Sequence, residues 1–148
     1  MKVDEYVSCD ATDLAQLIRD GEVSSEEVEQ TAREAITSIN SELNAIVDDL
    51  FDRPLAANSD GPFAGVPFLI KDLVLHAADV PVEFGCRMLK GFSFPHDTAL
   101  LSRFRDAGLA ILGRSNTPEL GTSSTTEPVA NGPTHNPWML NRSPGGSS

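Results

Sequence analysis

Apolar positions in the first third of the chain recur at helical spacing. Leu14, Leu17 and Ile18 share one face of a helix that Asp10 or Thr12 can cap and Gly21 can end. Ser24, with Glu27 three residues later, has the spacing of a capping box. It opens a second helix whose apolar stripe is Val28, Ala32, Ala35, Ile36 and Ile39. Two N-terminal helices are therefore expected. Asn44 to Val47 fits a short strand, and the turn-forming residues from Pro54 to Pro62 predict a loop.

After Gly61 the pattern changes from periodic to continuous. Gly65-Val66-Pro67-Phe68-Leu69-Ile70 is an apolar run that Lys71-Asp72 interrupts before Leu73-Val74-Leu75. A strand buried on both faces reads this way, because it has no solvent side to fill with polar residues. Asp97 can cap a helix carrying Leu100, Leu101, Phe104 and Ala107, closed by Gly108. Leu109 to Gly113 then reads as a second buried strand. Strand, helix and strand in that order predict a βαβ-like unit, so the fold class is α/β. From Ser115 onward, 11 of 34 residues are Ser or Thr and 9 are Gly or Pro. Turns are expected there rather than regular structure, and on composition alone this is a flexible tail or linker.

Composition fixes the scale. At 148 residues, 40% hydrophobic and 22% charged, the chain has the size of one domain and enough apolar mass for a core. Its net charge of -11 is unevenly distributed. Residues 1–60 hold 15 acidic and 4 basic side chains, whereas residues 61–148 hold 7 of each. Nucleic acid and anionic membrane surfaces are poor partners for that acidic segment, which reads as solvated helix faces. No apolar stretch approaches the ~20 residues that cross a bilayer. The acidic N-terminus has no signal-peptide core, and two distant cysteines, Cys9 and Cys86, make neither a disulfide framework nor a metal site. The expected setting is cytoplasmic.

Few residues carry candidate chemistry. Lys71 lies between apolar runs, where burial would lower its pKa and make it a general base; the alternative is a lysine that snorkels or pairs with a carboxylate. Asp72, its neighbour, points to the opposite face of a strand and is not its obvious partner. Gly145-Gly146-Ser147-Ser148 permits close backbone approach immediately before two hydroxyls, and a serine needs a base before it can react. Lys71 with such a serine would make a Ser–Lys variant of triad logic, although no local pattern joins positions 76 residues apart. Cys86 with His76, His96 or His135 is a weaker set, since a buried, inert thiol is the commoner outcome. Neither metal-ligand spacing nor a glycine-rich phosphate loop occurs, so no cofactor is expected.

These segments together resemble the amidase signature enzymes. Gly61-Pro-Phe-Ala-Gly-Val-Pro-Phe-Leu-Ile-Lys71-Asp72-Leu73 is similar to the family's lysine segment. Gly108-Leu-Ala-Ile-Leu-Gly-Arg-Ser-Asn-Thr-Pro-Glu119 is similar to the strand and turn that follow it. Gly132-Pro-Thr-His-Asn-Pro-Trp138 and Arg142-Ser-Pro-Gly-Gly-Ser-Ser148 resemble the approach to the glycine- and serine-rich signature. The wording is nearest to hydrolases of aminohexanoate cyclic amides. The resemblance implies a mixed sheet covered by helices and a Ser–cis-Ser–Lys triad that hydrolyses a small-molecule amide through an acyl-enzyme. Lys71 would be its lysine and Ser147 the bridging serine after a cis peptide bond, with Ser148 as a neighbouring group. The nucleophilic serine and the oxyanion amides would lie beyond residue 148. Residues 1–148 then form a single incomplete domain, an acidic helical segment 1–60 and the start of the core at 61–148, inactive by itself. The family also implies an alternative, an ammonia-supplying or non-catalytic subunit of a transamidation complex, and it admits a homodimer.

Overall fold

A computed structural model describes residues 1–147. Three helices, not two, precede the sheet: α1 Val3–Ser8, α2 Ala11–Arg19 and α3 Ser25–Leu43. The additional helix α1 is six residues long and buries none of them fully, so it left no apolar stripe in the sequence. Asp10 is the α2 cap, its carboxylate accepting from the backbone N–H of Thr12 and Asp13. Ser24 caps α3, with its hydroxyl accepting from Glu27 N–H. The Glu27 carboxylate does not return to the cap as a capping box would; it binds the Met1 ammonium. Val28, Thr31 and Ala32 are the buried residues of α3, while Ile39, expected in the stripe, is exposed.

The sheet has three strands in the order β1-β3-β2: β1 Ile46–Val47, β2 Pro67–Lys71 and β3 Ala110–Ser115. β2 and β3 run parallel and are joined through α4, Ala99–Asp106, which gives the expected βαβ unit; β1 pairs antiparallel to the other edge of β3. The cap of α4 is Thr98 rather than Asp97. Asp97 instead accepts from Ala78 N–H and pairs with Arg105, tying the connecting loop to the helix.

Alternate residues of β3 face opposite layers. Ile111, with Ile70 of β2, packs against Leu101 of α4 and Ala77. Ala110 and Leu112 pack against Ala32 of α3. Leu14, Val28, Val66 and Leu109 join α2 and α3 to the same sheet. Coverage on both faces accounts for the continuous apolar run. Gly108 turns the chain from α4 into β3 at φ +89°, and a Cβ there would stand 2.7 Å from Ala64 Cα. No helix among the described residues is long and apolar enough to cross a membrane.

The residues after Ser115 are not a flexible tail. They form turns, as composition predicts, but hydrogen bonds pin those turns to the body. Thr134 donates its hydroxyl to Asn44 O at 2.7 Å, His135 N–H reaches Leu43 O at 2.8 Å, and Asn44 Nδ2 donates to Asn131 O and Pro133 O. Asn44, at φ +50°, ends α3 and serves as the anchor.

Candidate active site

β2 ends at Lys71, opposite Ser115 at the end of β3. The 144–147 segment passes over this strand end, and Lys71 Nζ donates to Ser147 Oγ at 3.0 Å. The two candidates, 76 positions apart, are therefore in direct contact. The Gly146–Ser147 peptide bond is cis. Ser148 lies outside the described residues.

Glycines let the segment sit this close. A Cβ on Gly146 would stand 2.8 Å from Thr126 Oγ1 and 2.9 Å from Pro118 Cγ. Gly121, at φ +68°, presents its Cα to Ser147, and a Cβ there would be 3.2 Å from Ser147 Oγ. Thr126 Oγ1 donates to Gly145 O at 2.7 Å. Together these residues border a cleft of about 240 Å³, also lined by Ser115, Asn116 and Thr134.

Burial pushes the Lys71 ammonium below the usual lysine range. Among the described residues no carboxylate lies within ion-pair distance of it to oppose that shift. Asp72 is occupied elsewhere. It is fully buried, accepts from Glu83 N–H and Arg114 Nη1 at 2.7 Å, and from Gly85 N–H at 3.2 Å. Arg114 continues to Asp48 at 2.6 Å. The acid is thus spent on bracing the strand end, and Lys71 keeps a free lone pair when neutral. A neutral amine beside a serine hydroxyl can take its proton.

Sequence reasoning found Lys71 and Ser147 and missed three supports: Thr126, Gly121 and the Asp72–Arg114 pair. Asp72 and Arg114 each carry a charge inside an apolar run, and that shared oddity was the available signal. The cysteine alternative does not form. Cys86 is a buried free thiol, His76 stacks on Phe94 at 4.0 Å, and His135 bonds to Leu140 O. Among the described residues no group of His, Cys, Asp and Glu could hold a metal ion.

A parallel sheet end carrying a lysine against a serine of a glycine-rich turn is the arrangement the amidase resemblance implies. The amidase family's sequence profile matches residues 23–148, and the chain belongs to that family. Its relatives include the 6-aminohexanoate-cyclic-dimer hydrolase of Pseudomonas sp. (strain NK87), 43% identical over 94% of this chain and 29% of that protein. The amidase-like subunit of the glutamyl-tRNA(Gln) amidotransferase of Salinispora arenicola (strain CNS-205) is 38% identical over 97% of this chain and 31% of its own length. A solved structure of 6-aminohexanoate cyclic dimer hydrolase with substrate superposes at a TM-score of 0.86, with 39% identity, over 94% of this chain and 30% of that one. The chain therefore spans about three-tenths of the length of these relatives.

Proposed function

We propose that the whole protein is an amidase that hydrolyses a carbon–nitrogen amide bond of a small molecule, and that residues 1–148 are an incomplete domain supplying two of its three catalytic groups. The observation that carries this reading is the 3.0 Å contact between Lys71 and Ser147, with Lys71 shifted toward its neutral form by burial. Neutral Lys71 accepts the Ser147 hydroxyl proton while Ser147 accepts one from a nucleophilic serine supplied beyond residue 148. That serine attacks the amide carbon, and backbone N–H groups hold the developing oxyanion. Ser147 then returns a proton to the departing amine as the C–N bond breaks. Water hydrolyses the acyl-enzyme through the same relay. The chemistry needs only proton transfer and acyl transfer, so we assign it no metal or organic cofactor.

Identity to 6-aminohexanoate-cyclic-dimer hydrolase supports an aliphatic, lactam-like amide as substrate. The amidotransferase relative supports a second reading, in which the ammonia released is delivered to a partner subunit. Cys9 and Cys86 are free thiols, which suits the reducing cytoplasm we assign.

Turnover decides among these. The whole protein should release amine from aliphatic cyclic amides, and Lys71→Ala should lower kcat/KM by roughly 10³-fold or more. The 148-residue polypeptide alone should show no turnover above background, because it holds neither the third serine nor its oxyanion amides. Hydrolysis by that polypeptide, lost in Lys71→Ala, would overturn the division of the site. Hydrolysis only of glutamine, and only with a partner subunit present, would favour the amidotransferase reading.

A further inference from the structure

Lys71 and Ser147 are brought together by chain segments with no ladder between them. Lys71 is fixed by β2, whose end is paired to Ser115 of β3. Ser147 stands on a turn that makes few bonds of its own. Among the described residues, the only polar side chain outside that turn that binds its backbone at Gly145 is Thr126, whose hydroxyl donates to Gly145 O at 2.7 Å. Thr126 is buried, 7% exposed, and this is its side chain's only hydrogen bond among the described residues.

Thr126 is itself fixed from the strand side. Its carbonyl accepts from Thr134 N–H at 2.9 Å, and Thr134 Oγ1 binds Asn44 O at 2.7 Å and accepts from Asn116 Nδ2 at 3.0 Å. Asn116 directly follows β3. A continuous chain of contacts therefore runs from the β3 end, beside Lys71, through Asn116, Thr134 and Thr126 to the residue two before Ser147. Gly146 is wedged on the same hydroxyl, since a Cβ there would lie 2.8 Å from Thr126 Oγ1.

Resting on the amidase reading, we propose that Thr126 is a positioning residue for proton transfer: its hydroxyl holds the Gly145 carbonyl and so sets the approach of Ser147 Oγ to Lys71 Nζ. It touches no reacting atom. Without it the 144–147 turn is tethered on one side only, and Ser147 no longer covers the lysine. Misplacement by about 1 Å costs on the order of 10²-fold in rate when a proton must pass between positioned groups. A loosened turn also admits water to Lys71, relieving the desolvation that lowers its pKa.

The test uses the whole protein and two pairs of variants. Thr126→Val against wild type removes the hydroxyl at constant shape, and Thr126→Ala against Thr126→Ser removes it at reduced size. One pair suffices if a variant of the other does not fold. Within each pair, loss of the hydroxyl should lower kcat by about 10- to 100-fold with little change in KM. The acid limb of the pH–rate profile should move to higher pH, as it must if Lys71 regains water. Thr126→Ser should retain most of the wild-type kcat and its pH profile. A purely structural threonine would alter the amount of folded enzyme and leave the acid limb in place, and that result overturns the proposal. So does equal kcat within each pair. Full activity in Lys71→Ala would overturn the amidase reading together with this one; an inactive Lys71→Ala beside unaffected Thr126 variants overturns only the role of Thr126.

Discussion

Lys71 stands at the end of a strand whose neighbour, β3, is covered by α3 on one face and α4 on the other. Ser147 stands in a stretch from Asn116 that has no strand and only the short 3₁₀ turn Glu119–Gly121. The first region is held by a backbone ladder and buried Ile70, Leu101, Ile111 and Leu112. The second is held by polar side chains, Thr126, Thr134, Asn44 and Asn116, that reach backbone groups far away in sequence. Each route fixes its half of the site, but they differ in how they fail. Apolar burial fails globally, by unfolding. A polar tether fails locally, by releasing one turn while the core persists.

The largest effect expected lies in the strand region. Arg114→Met should destabilise the fold by about 3 kcal/mol or more, because it leaves the buried Asp72 carboxylate without its counter-ion. Urea unfolding would read this as a lowered midpoint, and a loss under about 1 kcal/mol would mean the two backbone N–H groups suffice for Asp72.

Thr134→Val tests the other region. It leaves Asn44 O without its hydroxyl donor and should cost about 1–2 kcal/mol. Amide exchange should rise around residues 116–135 while β3 amides keep their protection. Uniform loss of protection would erase the distinction between the regions.

The smallest effect is electrostatic. The native pKa of Lys71 lies below the ordinary 10.5, so between those two values the unfolded chain binds more protons than the folded one. Stability attributable to Lys71 is therefore lowest below the native pKa and rises with pH up to the ordinary value. Lys71→Met should remove that rise from urea midpoints measured across the alkaline range. An unchanged slope would place Lys71 in water.

The same division governed what the sequence could show. The apolar runs Phe68–Ile70 and Leu109–Leu112 carry their burial in their composition, so β2, β3, the crossover helix and the α/β class could be read directly. Local polar choices were less legible. Asp97 and Thr98 both suit a helix cap, and only the position of Arg105 and Ala78 diverts the aspartate. Lys71 was visible as a charge among apolar residues, and Ser147 through its glycines and the family resemblance. The tethers were not, because Thr134 and Asn44 are 90 positions apart and nothing near either announces the other. A tail rich in Ser, Thr, Gly and Pro looks mobile until its distant acceptors are known.

The central claim is that Lys71 and Ser147 act as one proton relay, and a double-mutant cycle on amide hydrolysis by the whole protein tests it most directly. Lys71→Ala, Ser147→Ala and the double variant should each lose roughly 10³-fold or more in kcat/KM, with the double variant no worse than the poorer single one. Losses that multiply, or a single variant that turns over at the wild-type rate, would contradict the relay.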